Sequence, residues 1–208
     1  MRTKVFISYH HANDQWAKDH LVYLNNQFNI FDDCSVNSGD IDDTFLTDEQ
    51  IRVRVRDSYL RDTTVTIVLV GLETRFRKHV DWELYSSMRD SPRYAKSGIV
   101  LVPLPETGIE YVVAPHGREE KDHIHSDISE WVALNRTQFE ARYPYFSNRM
   151  IDNLSAPNSF ISVIPWRKIY LSPDNISLAI SLAHRDRDRC EYDFSTDMRR
   201  RNGRGLRR

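Results

Sequence analysis

An apolar run from Val65 to Val70, interrupted only by Thr66, constrains the fold of this chain more than any other feature. A strand this uniformly apolar is buried on both faces, which is typical of a parallel sheet with helices above and below it. Gly71 ends the run, and the helix predicted after it carries Glu83. Ligands of such sheets bind in the crevice beyond the carboxyl ends of the strands. Glu83 is therefore the first candidate for a functional residue.

Strands and helices alternate over the first hundred residues. The predicted strands are Lys4–Ser8, Asn29–Asp32, Thr64–Val70 and Gly98–Pro103. The predicted helices begin at Asp14, at a capping box that opens with Thr47, and at Phe76, and the last of them runs to Met88. Ile51–Arg56 alternates with period two and would also suit a strand. We favour a helix there because a cap precedes it and parallel strands need a crossover.

The second half of the chain has a looser pattern. Between residues 104 and 158 only Asp127–Phe139 resembles a helix, after which Phe160–Ile164 predicts a fifth strand and Ser172-Pro173 opens a last helix. The sequence thus predicts a flavodoxin-like, doubly wound α/β fold with a mainly parallel five-stranded sheet and helices on both faces. We expect one domain over residues 1–198, with a core at 4–103, an insertion at 104–158 and the last strand and helix within 160–190.

Charge is spread unevenly along the chain. The net charge is −1, and six arginines without any acid lie between Arg199 and Arg208. We expect residues 199–208 to be a disordered, solvated basic tail. Binding to nucleic acid or an acidic partner is the alternative, but the tail lacks the aromatic residues that would support it, so nucleic acid is not an expected partner.

The remaining composition argues against several classes of protein. The two cysteines, Cys34 and Cys190, are too few for a disulfide framework, and no apolar run is long enough to span a membrane, so we expect a cytoplasmic protein. His116, His123 and His125 lie among acids but match no metal-ligand spacing; we expect a solvated charged loop and no metal. The chain also lacks Gly-x-Gly-x-x-Gly and a phosphate-binding loop, which disfavours a dehydrogenase or an ATPase.

Four segments together resemble a known family. Val5–His10, the acidic loop after the second strand, Val65–Gly71 and His79–Leu84 are similar in order and spacing to a TIR domain, and more narrowly to the bacterial TIR-like proteins of the Thoeris anti-phage system. The resemblance covers residues 4–103 well. One departure is visible: many members carry Trp four residues before the catalytic Glu, whereas this chain has His79 there and Trp82 directly before Glu83.

The resemblance implies an NAD-consuming enzyme of the NAD glycohydrolase or ADP-ribosyl cyclase type, with Glu83 as the catalytic residue. It implies NAD as a substrate rather than a retained cofactor. The product would be a signalling nucleotide, either a cyclic ADP-ribose isomer or an ADP-ribose conjugate, that activates a companion effector protein. The resemblance also implies self-assembly and a phage-derived trigger, and it does not imply binding to a membrane.

The chemistry of the residues agrees with that role for Glu83. Ordinary glycosidases need two carboxylates, one of which protonates the leaving oxygen. Nicotinamide bonded to ribose is already cationic and leaves as a neutral base, so one ionised carboxylate beside the ribose suffices. With an ordinary pKa of about 4.3, a glutamate is ionised at cytoplasmic pH without special tuning. The alternative for Glu83 is a solvated glutamate on the helix surface, as most helical glutamates are.

Several neighbours are candidates for substrate binding. His79 and Phe76 share a helix face with Glu83. Ser8 could bond a ribose or phosphate, and Tyr9 could stack on a base, because both end the first strand. Four further candidates each have a structural alternative: Phe6 as a core residue, His10 as a loop histidine, and Asp32 and Asp33 as loop caps. The last candidate is Trp82, as an aromatic wall displaced from its usual position.

Two further functions remain open from the sequence. A nucleoside deoxyribosyltransferase also uses a lone glutamate on this type of fold. A non-catalytic TIR module that signals by assembly is the other, and the acidic loop Asp33–Leu46 would be its contact surface.

Overall fold

The computed structural model describes residues 2–35, 45–90 and 94–203. Within them, five strands form one sheet in the order β2-β1-β3-β4-β5, and every neighbouring pair runs parallel. The strands are β1 (Lys4–Ser8), β2 (Asp32–Asp33), β3 (Val65–Val70), β4 (Gly98–Pro103) and β5 (Ser162–Val163). The α-helices of the same residues are α1 (His11–Phe28), α2 (Asp48–Tyr59), α3 (Lys78–Met88), α4 (Arg118–Ile124), α5 (Arg136–Arg142), α6 (Asn148–Ser155) and α7 (Pro173–Asp186). The flavodoxin-like α/β fold predicted from the sequence is confirmed.

The central strand β3 is buried along its whole length, as its apolar sequence predicts. Its odd-numbered residues pack into a cluster with α1 and α7, whereas Val68 and Val70 pack against α3, α5 and α6. Thr66, the one polar residue of the strand, shares a hydrogen bond of 2.8 Å with the hydroxyl of Ser87 on α3. A fully apolar strand is stable here because helices cover both of its faces.

The segment Ile51–Arg56 is helical, which settles the ambiguity between helix and strand. The amide of Gln50 donates to the Thr47 hydroxyl at 3.2 Å, and the amide of Thr47 donates to the Gln50 side chain at 2.8 Å. Ile51 and Val55 are one turn apart and both are buried, as is Arg56, while Val53 and Arg54 between them are exposed. The capping box therefore outweighs the period-two alternation that would suit a strand.

The insertion differs from the sequence prediction. Asp127–Phe139 was expected to be helical, but residues 125–135 are irregular and α5 begins at Arg136 behind a capping box formed by Asn135 and Gln138. Two short helices that the pattern did not indicate, α4 and α6, flank it. These helices have seven or eight residues each, so they show too few turns to establish a clear apolar period.

The C-terminal segment, residues 190–203, lies against α6 and α3 rather than extending into solvent. Met198 is buried, the Arg199 amide donates to Asp81 at 2.7 Å, and the Asn202 side chain accepts the Lys78 amide at 2.9 Å. Arg199 and Asn202 are held by hydrogen bonds to α3, contrary to the expected disorder, while residues 200–202 are exposed to solvent as expected. Residues 204–208 of that prediction lie outside the described residues, as do residues 36–44 of the acidic loop.

Candidate functional site

The strand order places a switch point between β1 and β3, where doubly wound sheets bind their ligands. Ser8 ends β1 and is paired in register with Val68, so β3 continues two residues further. The chain then makes a short 3-10 turn at Thr74–Phe76 and returns along the sheet as α3. Glu83 lies five residues after Lys78, roughly 7.5 Å along the helix axis, which brings it level with the end of β1.

Ser8 and Glu83 meet at this point. The Ser8 hydroxyl donates a hydrogen bond of 2.6 Å to Oε2 of Glu83. Both residues are buried, with 1% of Ser8 and 8% of Glu83 exposed. Glu83 is therefore not a solvated surface glutamate; its carboxyl group lies inside the protein at the carboxyl edge of the sheet.

Burial changes the acidity of this carboxyl group. Desolvation raises the pKa of Glu83 from its ordinary value of 4.5 to about 7, and the hydrogen bond from Ser8 partly opposes that rise. The expectation that Glu83 is ionised without special tuning is thus wrong, because the group exchanges its proton near neutral pH. A serine hydroxyl can donate to the carboxylate and accept from the protonated acid, so the pair can stay bonded in both states.

Tyr9 and His10, the residues after Ser8, have different surroundings. Tyr9 is buried; its hydroxyl donates to Gln15 at 2.7 Å and its ring stacks on His11 with centroids 4.3 Å apart. His11 covers one face of that ring and little of Tyr9 is exposed, so its stacking on a base stays a prediction. His10 is half-buried, burial lowers its pKa, and its Nδ1 has no hydrogen-bond partner among the described residues.

Phe6 and Trp82 belong to the hydrophobic core. Both pack in one cluster with apolar residues of α2, and Trp82 is fully buried with its indole N–H donating to the Arg199 carbonyl at 2.7 Å. The structural alternative for Phe6 is therefore the correct one. Trp82 does not form an exposed aromatic wall, because residues of α2, the C-terminal segment and the first turn of α3 together cover its ring.

His79 and Phe76 remain candidates for substrate contacts. Both are half-buried; His79 lies in the first turn of α3, four residues before Glu83, whereas Phe76 ends the 3-10 turn before α3. The prediction that Phe76 shares a helix face with Glu83 is therefore wrong, because Arg77 is extended and the helix begins only at Lys78. The His79 ring packs edge-on against Trp82 with centroids 5.0 Å apart. The Phe76 ring carries the Arg75 guanidinium at 4.5 Å, and its carbonyl accepts the Gly203 amide at 2.8 Å.

Asp32 lies beside the amino end of β1, whereas Glu83 lies beside its carboxyl end. It pairs in register with Lys4, the first residue of β1, and forms an ion pair of 3.5 Å with Arg2. Four residues of strand separate this position from Ser8, a distance of roughly 13 Å. The prediction that Asp32 binds a ribose at the crevice is therefore wrong, because β2 begins later than the sequence pattern indicated and its acids fall beside the amino end of β1.

Sequence reasoning missed a second buried carboxyl group, that of Asp14. Its side chain accepts the Thr74 hydroxyl at 3.1 Å, and Thr74 in turn accepts the Gly71 amide at 2.9 Å. Burial raises the pKa of Asp14 to about 6. The sequence marked Asp14 as a helix start, and nothing in the local pattern indicates the contact with Thr74, which lies sixty residues away.

Two of the three histidines of the insertion are buried rather than in a solvated loop, whereas His123 is exposed on α4. His116 and His125 are buried at the ends of α4, and Nδ1 of His116 lies 2.7 Å from a carboxylate oxygen of Asp186 on α7. Burial raises the pKa of Glu120, which accepts the His116 amide, to about 7. The charged sequence misled the prediction because α4 turns these groups inward against α7.

Fold and site together define a TIR-like α/β domain, with an acidic residue of the third helix buried beside the end of the first strand. Residues 6–108 match the family model described as Thoeris protein ThsB, TIR-like domain. The chain is thus a ThsB-like TIR-domain protein, and the matched region contains every site residue predicted from the sequence. The search of curated proteins found no significant match, and neither did the search of solved structures.

In the part of the chain that the structure describes, no helix combines the length and hydropathy needed to cross a membrane.

Proposed function

We propose that this protein cleaves the bond between nicotinamide and ribose in NAD and that Glu83 is its catalytic residue. One observation carries the proposal: a lone glutamate is buried at the switch point of a TIR-like sheet and bonded to Ser8 at 2.6 Å. NAD is a substrate in this account and not a resident cofactor.

The mechanism needs one negative charge that is shielded from bulk solvent. Nicotinamide departs as a neutral base with the bonding electron pair, and positive charge develops on the ribose. The Glu83 carboxylate stabilises that charge, and the interaction is stronger in a buried site than in water. Water or another nucleophile then bonds to the ribose carbon and loses its proton, to which the carboxylate is a suitable acceptor near neutral pH.

The raised pKa of Glu83 fits a cationic substrate. A nearby positive charge favours the ionised form of a carboxyl group and lowers its pKa. Bound NAD would bring the nicotinamide cation next to Glu83 and so promote the ionisation that catalysis requires. Nδ1 of His10, buried close to the end of β1, is a candidate for a further hydrogen bond to the substrate.

The product and partners follow from the Thoeris family. We propose that the ADP-ribosyl group becomes a cyclic isomer or a conjugate that diffuses through the cytoplasm to a companion effector. In this account, a phage-derived trigger or self-assembly completes the site, since unregulated loss of NAD would harm the cell.

Mass spectrometry of NAD incubations tests the proposal. The full-length chain and its Glu83→Gln variant are compared in extracts of the source cells with and without phage infection. We expect free nicotinamide and an ADP-ribosyl product from the native protein after infection and neither from the variant. Parallel incubations with deoxynucleosides test the transferase alternative: base release there and not from NAD would replace our proposal. Signalling that persists in the variant would favour the assembly module.

A further inference from the structure

The insertion contains a cavity that is separate from Glu83. Its volume is about 620 Å³, and all the residues that line it lie between Glu110 and Pro157. Sites for small organic ligands are typically about 300–1,000 Å³ in volume and mostly apolar. The lining begins at Glu110, just beyond the region that matches the TIR-like family model.

Two extended segments and residues of two helices, α4 and α5, line the cavity. Val113 pairs antiparallel with Val163 of β5 through two backbone hydrogen bonds of 3.2 and 2.9 Å, so the segment around it extends the sheet edge. Residues 128–134 form the facing segment, and Phe139 of α5 is buried beneath them. Apolar side chains of these elements, including Ala114 and Leu134, supply the walls.

Two cations lie on aromatic rings at this cavity. Lys121 is 4.5 Å from the ring centroid of Trp131, and Arg142 is 4.9 Å from that of Tyr111. Neither cation forms an ion pair with any residue that the structure describes. The acids of the lining are placed differently: Glu110 is bonded to Arg167, and Glu130 is exposed.

This combination of groups matches one ligand chemistry. An aromatic face with an unpaired cation above it suits a flat ring that carries an anionic group. We propose that the cavity binds a small organic anion with an aromatic or heteroaromatic ring, whose anionic group pairs with Arg142 and Lys121. The site is separate in location from Ser8 and Glu83, because neither residue lines it.

A fluorescence titration of the full-length chain tests the proposal, with anilinonaphthalene sulfonate as the anionic probe and N-phenylnaphthylamine as its uncharged counterpart. We expect saturable binding of the sulfonate at one site. Arg142→Gln should weaken sulfonate binding about tenfold or more and change binding of the neutral probe by less than about twofold. Arg136→Gln removes one charge from the same helix outside the cavity and should leave both affinities unchanged.

Several results would overturn the proposal. These are binding without saturation, equal losses in Arg142→Gln and Arg136→Gln, or a loss of sulfonate binding in Glu83→Gln. A cavity-filling variant, Ala133→Trp, gives an independent reading: it should abolish binding of both probes while the circular dichroism spectrum stays native. Native spectra with undiminished binding would place the probe elsewhere and contradict the proposed site.

Discussion

At the scale of single residues, the site depends on a carboxyl group whose pKa lies near neutral pH. Glu83 is surrounded by protein, receives one hydrogen bond from Ser8, and has a pKa of about 7. The sequence indicated a position near the carboxyl ends of the strands, because Glu83 follows a buried strand, and the structure places Glu83 beside Ser8 at the end of β1. Its acidity depends on burial by side chains distant in sequence, which no local pattern encodes.

The pH dependence of NAD cleavage should report this ionisation. If the carboxylate is the active form, kcat/KM should rise with pH and be half-maximal near pH 7 in the free enzyme. Ser8→Ala removes the hydrogen bond that lowers the pKa, so the rising limb should move to higher pH. Ser181→Ala on the exposed surface of α7 is the matched control. If Ser8→Ala and the native protein gave superimposable pH profiles, the hydrogen bond between Ser8 and Glu83 would not determine the pH at which kcat/KM rises.

The same group should make stability depend on pH. The pKa of Glu83 in the folded state exceeds its ordinary value of 4.5, so its contribution to stability is complete below that pH and is lost as the pH rises through about 7. Glu83→Gln avoids this loss. From pH 4.5 to pH 8, the free energy of unfolding of the variant should therefore gain up to about 3 kcal/mol relative to the native protein. Urea unfolding across this range measures the difference, and parallel curves would contradict the buried, titrating carboxyl group.

At the scale of helices and strands, the sequence predicted those elements whose signals are local. The buried run of β3, the capping box at Thr47 and the Ser172-Pro173 start of α7 each set an element by themselves. The insertion was predicted poorly, because its helices are short and gain their stability from packing on α3 and α7. The C-terminal segment was also missed, since its partners on α3 are more than a hundred residues away in the chain.

Arg149 of α6 joins α3 to the C-terminal segment, and its removal should destabilise both. The fully buried guanidinium pairs with Asp81 at 2.9 Å and donates to the carbonyls of Thr196 and Asp197. Arg149→Ala leaves Asp81 buried without its charge partner, which should cost about 3–5 kcal/mol in the free energy of unfolding. The exposed Arg136 is the control, and its replacement should cost less than about 1 kcal/mol. Similar small losses for both variants would contradict a structural role of the buried pair.

The approach of α1 to the end of β3 gives a prediction about Gly71. A Cβ atom at this position would lie 2.4 Å from a carboxylate oxygen of Asp14, so Gly71→Ala should destabilise the protein by about 1–3 kcal/mol through overpacking. In the Asp14→Ala background that steric cost should be largely absent. Chemical denaturation of the four proteins of this double-mutant cycle measures the coupling. A cycle with additive effects would show that Asp14 does not restrict the position of Gly71.

At the scale of the whole molecule, three elements of the TIR-like domain form the candidate site, and the rest of the chain supports it. β1 supplies Ser8, the turn after β3 sets the start of α3, and α3 supplies Glu83. The insertion packs its α5 and α6 on α3 and contains the cavity lined by residues between Glu110 and Pro157. The C-terminal segment contacts the first turn of α3 and, through Arg200, Asp48 at the start of α2. These contacts explain why the partly polar segment His79–Leu84, which would suit an exposed helix, lies largely inside the protein.

Nicotinamide release from NAD is the most direct test of the central claim. It should be measured in extracts of phage-infected source cells containing either the native protein or Glu83→Gln, at equal amounts of folded protein. We predict a loss of release of at least about a hundredfold in the variant, because the substitution keeps the shape of the side chain and removes the charge that stabilises the transition state. Equal release by the two proteins would contradict the assignment of Glu83 as the catalytic carboxylate.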